Sequence, residues 1–93
     1  MSAHHISIGQ IVTSLAGRDT GHPYLVIGIT GKYVFLADGR ERSVIKPKKK
    51  NIRHVKAYKL NAKALAEKLR NNGNITDEEI RQAIANFCKP DNL

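Results

Sequence analysis

The residues with the most evident chemistry are lysines and arginines, and one stretch of the chain contains most of them. Residues 40–59 hold nine of these cations and a single acid, Glu41, so this stretch carries the full net charge of +8 of the 93-residue chain. A surface that only keeps a protein in solution usually mixes both signs of charge. Nearly unmixed positive charge therefore favours a surface that binds a polyanion, and nucleic acid is the leading candidate.

Arginines and lysines are expected to contribute differently to such a surface. A guanidinium group can bind phosphate in a bidentate manner or stack on an unpaired base, whereas a lysine ammonium acts as a point charge. The candidate nucleic-acid contacts are Arg18, His22, Arg40, Arg42, Lys46, Lys48, Lys49, Lys50, Arg53 and His54.

Catalysis and metal binding find little support in the residue pattern, and we do not expect an enzyme. Asp19, Asp38 and Glu41 are the only acids before residue 61, and Cys88 has no histidine near it in sequence. The adjacent pair His4 and His5 lacks metal-site spacing, and zinc needs about four ligands. No Gly-Lys-Ser/Thr phosphate loop occurs. We therefore expect no cofactor, no metal and no small-molecule substrate.

Length and composition limit the architecture and the location. A chain of 93 residues allows one domain, or one small domain with an appendage. The longest apolar run, residues 24–29, is far shorter than the roughly 20 residues that span a bilayer, and the N-terminus has no secretory pattern. A single cysteine fits a reducing compartment. We therefore expect a cytoplasmic protein without a membrane partner.

Residues 6–58 have the pattern of short strands separated by turns. We predict strands at residues 8–15, 24–29 and 33–37, with weaker candidates at 43–45 and 54–56. Gly31-Lys32 separates the second run from the third, and Asp38-Gly39 after the third favours a tight turn. Five short strands at such close spacing favour a small barrel over a parallel sheet.

The remaining residues predict two short helices. Leucines and alanines recur at helical spacing from Leu60 to Leu69, with Asn61 as the predicted N-cap and Gly73 as the predicted terminator. The second helix has a capping box, Thr76 with Glu79, and its predicted apolar face is Ile80, Ala83, Ile84 and Phe87. Each helix must bury its apolar stripe against the other, against the barrel or against a protein partner.

One segment has the pattern of a strand, a glycine-bounded polar loop and a second strand. In residues 9–26 a β-branched strand ends at Gly17, the polar loop Arg18-Asp19-Thr20 follows, and Gly21 precedes a second strand. This segment resembles the KOW motif of ribosomal proteins and transcription elongation factors, with Gly21 matching the loop glycine of that motif. The chain departs from the motif at Pro23-Tyr24, where many KOW sequences have a further glycine.

The resemblance covers residues 8–58 and extends through the basic segment to small bacterial KOW-domain RNA-binding proteins, which are similar to KOW-bearing large-subunit ribosomal proteins of archaea and eukaryotes. It implies a five-stranded SH3-like barrel at residues 1–60, whereas the helical hairpin that the leucine and alanine spacing predicts at 61–93 lies outside the resemblance. It further implies a protein that binds structured RNA, with ribosomal RNA as the leading target, through the 17–23 loop and the 40–54 segment. A protein-interaction adaptor and a DNA-binding architectural protein remain the alternatives, because phosphate contacts alone do not distinguish RNA from DNA.

Overall fold

The computed structural model describes residues 6–88, which form a five-stranded antiparallel sheet followed by two helices. The strands are β1 (Gln10–Ser14), β2 (Pro23–Thr30), β3 (Tyr33–Ala37), β4 (Lys48–Asn51) and β5 (Val55–Asn61). The helices are α1 (Lys63–Arg70) and α2 (Asp77–Phe87), and a single 3-10 turn, Ile52–His54, joins β4 to β5. The sheet order is β4-β3-β2-β1-β5. The prediction of five strands plus two C-terminal helices is confirmed at this level, while β4 and β5 form no ladder that would close the sheet.

Successive side chains of a strand point to opposite faces of the sheet. In this protein apolar side chains are buried on both faces. Val12 of β1 lies on the inner face, in one cluster with Tyr24, Val26, Val34, Leu36 and Val55. Its neighbour Ile11 lies on the outer face, in a second cluster with Leu25, Ala37, Leu65, Ile75, Ile80 and Phe87. The helices supply Leu65, Ile80 and Phe87, and the segment between them supplies Ile75, so this C-terminal part of the chain covers the outer face of the sheet.

The predicted fourth strand was wrong in position. Residues 43–45 form no strand, and the fourth strand is Lys48–Asn51, which pairs with β3 in the register Val34↔Lys50 and Leu36↔Lys48. Lysine has a low strand propensity, but an edge strand tolerates it and is protected by it against pairing with other chains. Cross-strand partners therefore outweigh local propensity here.

The predicted start of the first helix was also wrong. Asn61 belongs to β5, where it pairs with Gln10, and α1 begins only after Ala62, which provides no side-chain cap. The helix ends at Arg70, and the left-handed residue after it is Asn72, at φ 60°, one position before the predicted Gly73. The amide of Gly73 donates to the carbonyl of Lys68 at 2.6 Å, and that of Asn72 donates to the carbonyl of Leu69 at 3.2 Å. This pair of hydrogen bonds is a Schellman motif.

The predicted start of the second helix is confirmed. The Thr76 hydroxyl accepts from the Glu79 amide at 3.1 Å, and the Glu79 carboxylate accepts from the Thr76 amide at 2.9 Å. Ile75 and Ile80, on either side of the first turn of α2, are both buried in the outer cluster, as in a hydrophobic staple. Burying a side chain the size of Ile80 contributes about 1.5–3 kcal/mol. Neither helix in the described part of the chain is long and apolar enough to cross a bilayer.

Gly39 allows α2 to lie directly against the loop that follows β3. Its φ is +79°, and a Cβ there would overlap the backbone carbonyl of Asp77 in the first turn of α2. Gly21 has a similar φ of +85°, but nothing lies within 4 Å of the place where its Cβ would be. Both glycines therefore adopt a positive φ, but only Gly39 lies so close to another element that a Cβ would clash.

We predict that Gly39→Ala destabilises the protein more than Gly21→Ala. Alanine at positive φ costs about 1 kcal/mol at both positions, and the forced displacement of α2 adds about 1–3 kcal/mol at position 39 alone. Urea unfolding of the two variants measures the difference. Equal midpoints would show that α2 does not press on Gly39.

Candidate nucleic-acid interface

The β1–β2 loop, residues 15–22, is organised around one carboxylate. The side chain of Asp19 is only 17% exposed, and its two oxygens accept from the Ser14 hydroxyl at 2.9 Å and the Tyr24 hydroxyl at 2.6 Å. From β4, the ammonium of Lys48 lies 2.7 Å from Asp19 Oδ2, and that of Lys50 lies 3.5 Å from Oδ1. The carboxylate thus joins the loop to β1, β2 and β4.

This environment keeps Asp19 ionised and Tyr24 protonated. Burial raises the pKa of Asp19, but hydrogen bonds from Lys48, Tyr24 and Ser14 outweigh it, and the net pKa lies well below the usual range. Burial and the hydrogen bond to Asp19 raise the pKa of Tyr24. The two shifts share this cause, because the ionised carboxylate accepts the hydrogen bond that the protonated phenol donates.

The lysine run at 48–50 is divided between the two faces of β4. Lys48 and Lys50 turn towards Asp19, and Lys50 also donates to the carbonyl of Ala16 at 2.9 Å. Lys49 points the other way and lies 4.4 Å from the centre of the Tyr33 ring. The three lysines, predicted as equivalent phosphate contacts, therefore have different surroundings: two are committed to the loop, and Lys49 is exposed on the opposite face.

A second carboxylate shapes the turn after β3. Asp38, 7% exposed, accepts from the backbone amides of Arg40 and Arg42 at 2.9 Å each and lies 2.7 Å from Nε2 of His22. Burial raises the pKa of Asp38, but these bonds outweigh it and the net pKa is lowered. His22, a predicted nucleic-acid contact, thus links the β1–β2 loop to the 38–42 turn and keeps part of its ring exposed.

Helix α2 binds the loop between β3 and β4 at two points, Gly39 within this turn and Val44 just beyond it. Asp77 accepts from the backbone amide of Val44 at 2.8 Å, and the Arg81 guanidinium donates to the carbonyl of Gly39 at 2.6 Å. Sequence reasoning missed both residues. Their partners are 33 and 42 residues away along the chain, and no local pattern marks such a pair.

The 3-10 turn completes the surroundings of the loop, because the amide of Leu15 donates to the carbonyl of His54 at 2.8 Å. Three amides of the loop are themselves bonded. Those of Thr20 and His22 donate to the carbonyls of Gly17 and Asp19 inside the loop, and that of Gly21 donates to the carbonyl of Ser14 at the end of β1. Gly17 and Gly21 both have positive φ, as a tight loop requires.

Five of the predicted contact residues have exposed side chains and lie in the β1–β2 loop, in the loop between β3 and β4 or in the 3-10 turn. We call them the loop cations: Arg18, Arg40, Arg42, Lys46 and Arg53. No ion pair or side-chain hydrogen bond connects any of them to another residue between 6 and 88. Arg18 in particular pairs with neither Asp19 nor Asp38. The side chain of His54 is exposed as well.

The arrangement provides no metal site among the described residues: within 6–88 no three His, Cys, Asp or Glu side chains are grouped to hold an ion. His4 and His5 lie outside those residues. Neither a protein-family model nor a curated protein sequence matches the chain.

We predict that Asp19→Asn lowers the free energy of unfolding by about 1–3 kcal/mol, the scale of hydrogen bonds to a charged group. Because the folded-state pKa of Asp19 lies below its unfolded value of about 3.9, its contribution is complete above that value and is lost as the pH falls below about 4. Urea unfolding between pH 3 and 7 measures both effects. The exposed Glu41→Gln serves as the control with the same change of charge, and an equally small loss in both variants would contradict the role of Asp19.

Proposed function

We propose that this protein binds structured RNA, with ribosomal RNA as the leading target, through the loop cations. The observation that carries the proposal is the sorting of charge. Asp19 and Asp38 turn inward and organise the loops, so Glu41 is the one exposed acid among residues 6–60, while the loop cations face solvent unpaired. Because these two acids face inward, the exposed surface keeps its positive charge, and such a surface attracts a polyanion.

The proposed mechanism is docking on an ordered surface. Asp19, Asp38 and Asp77 fix the loops before binding, so little conformational entropy needs to be lost when the cations meet phosphates. Base stacking has few candidates: Tyr24 is buried, and one side of the Tyr33 ring is covered by Lys49. Recognition by shape and phosphate contacts, the usual mode for folded RNA, fits this surface better than stacking on single strands.

We further propose that the sheet is an SH3-like barrel of the KOW type and that the protein acts in the cytoplasm. Three features support the fold assignment. β1, the loop and β2 form a strand–loop–strand unit with Gly21 in the loop, the inner face of the sheet holds its own core, and a single 3-10 turn connects the two edge strands. The two helices then act as a cover of the outer face rather than as a separate unit.

The first test is the salt dependence of RNA binding. If the five loop cations each neutralise one phosphate, log K falls against log salt with a slope of roughly −3.5 to −4.5. Titration of a helix-rich ribosomal RNA fragment at several salt concentrations gives the slope. A matched DNA hairpin is titrated in parallel, and stronger binding to DNA would favour the architectural-protein alternative.

Charge-matched variants localise the surface. Arg42→Gln with Arg53→Gln should weaken RNA binding and flatten the slope by roughly 1.4–1.8. Lys63→Gln with Arg70→Gln removes the same charge from α1, which lies beside Gly9 at the opposite end of β1 from the loop. We expect the α1 variant to bind nearly as the unmodified protein does. Equal losses in both variants would mean that net charge, and not this surface, determines affinity.

Replacing arginine by lysine separates charge from geometry. Arg18→Lys, Arg42→Lys and Arg53→Lys keep the charge and remove the planar fork. Where the fork reads a feature of the target, the change should cost roughly 1–3 kcal/mol on ribosomal RNA, the scale of one bidentate contact, and little on a random RNA pool. Equal losses on both RNAs would show that these arginines act only as charges.

A further inference from the structure

Ile45 is the most exposed large apolar side chain among the described residues. It is 84% exposed, against 53% for Leu15 and 38% for Ile29, and it lies in the loop between β3 and β4, directly before the loop cation Lys46. An isoleucine left in water forgoes the gain in free energy that burial would give it. A single exposed apolar residue is common in proteins and by itself indicates nothing, so the argument depends on how this one is held.

The backbone imposes the exposure of Ile45. The amide of Lys46 donates to the carbonyl of Ser43 at 3.2 Å, which closes a four-residue turn with Ile45 at its third position. Val44, the preceding residue, packs against the outer cluster and has its amide bound by Asp77 of α2. With Val44 directed into the core and the turn closed behind it, the Ile45 side chain is presented to solvent on an anchored segment.

Charge indicates what covers this side chain. The loop that presents it also contains Arg40, Arg42 and Lys46, all exposed, against the single acid Glu41. A partner that faces these residues must offer negative charge and an apolar surface side by side. RNA does so where a base is unpaired: phosphates flank the base, and its face is free of its neighbours. In an unbroken A-form helix the base faces are stacked and unavailable.

We propose that Ile45 packs against an unpaired or unstacked base in the bound RNA, while the loop cations contact the neighbouring phosphates. The inference rests on the proposed RNA binding and adds the class of RNA: a helix interrupted by a bulge or an internal loop. Apolar side chains that fill a gap in a base stack are a known device of nucleic-acid-binding proteins.

The experiment compares two RNA hairpins that differ only in one bulged adenine, with 2-aminopurine at the bulge as a fluorescent reporter. The full chain should bind the bulged hairpin about tenfold more tightly, corresponding to roughly 1.4 kcal/mol, and should change the reporter fluorescence. Ile45→Ser should reduce this preference to about twofold or less and abolish the fluorescence change, while the affinity for the uninterrupted hairpin stays the same. Ile29→Ser makes the same change near the Gly31-Lys32 hairpin and should leave both affinities unaltered.

Three results would overturn the inference. The preference for the bulge could survive in Ile45→Ser, both hairpins could lose affinity equally, or Ile45 could be required only for binding to vesicles containing an anionic lipid, which would assign the side chain to a membrane surface. These outcomes differ from a failure of the proposed function. If the unmodified protein binds neither hairpin at low salt, RNA binding itself is wrong, whereas salt-dependent binding that ignores Ile45 rejects only the contact with the base.

Discussion

The carboxylate of Asp19 is the constraint on which the loop region of this protein depends. It accepts from Ser14 and Tyr24 and faces the ammonium groups of Lys48 and Lys50, so one small side chain connects the β1–β2 loop with three strands. A charged group this enclosed is tolerated only when its hydrogen-bonding capacity is filled. Its partners are therefore fixed in place, and with them the edge strand β4.

A second set of bonds extends this order to the loop before β4. Asp38 accepts from two amides of the 38–42 turn, and His22 connects that turn to the β1–β2 loop. From α2, Arg81 binds Gly39 in the same turn, and Asp77 binds Val44 just after it. The helices consequently have two roles. Both helices bury the outer face of the sheet. In addition, α2 positions the backbone from which several loop cations extend. Stability and the proposed binding surface are thus coupled through α2.

The same bonds explain why the exposed surface is so basic. Acids placed at random on the surface would cancel part of the charge of the nearby arginines. Here Asp19 and Asp38, two of the three acids among residues 6–60, form ion pairs inside the loop network. The single negative charge of Asp19 offsets only one of the two lysines that face it. The loop cations carry charge that no ion pair or side-chain hydrogen bond offsets within residues 6–88, and this is the physical basis of the proposed RNA binding.

Sequence by itself determined the features whose bonds are local. The capping box joins Thr76 and Glu79, three positions apart, and the strand–loop–strand unit around Gly21 is continuous in the chain. The segregation of charge is likewise visible without coordinates. Tertiary structure decided the features that depend on distant partners. It placed the fourth strand at Lys48–Asn51, where pairing with β3 overrides the low strand propensity of lysine.

The candidate site shows the same division. The residue types of the loop cations were evident from the chain, but which lysines are free was not. Alternation along β4 turns Lys48 and Lys50 towards Asp19 and Lys49 away from it, and this depends on a partner 29 residues distant in sequence. Asn61 likewise has the residue type of a helix cap, yet pairing with Gln10 keeps it in β5. Composition specifies which charges are present, whereas only the packing of distant segments decides which of them are already neutralised, because an ion pair forms where the fold brings two groups within a few ångströms.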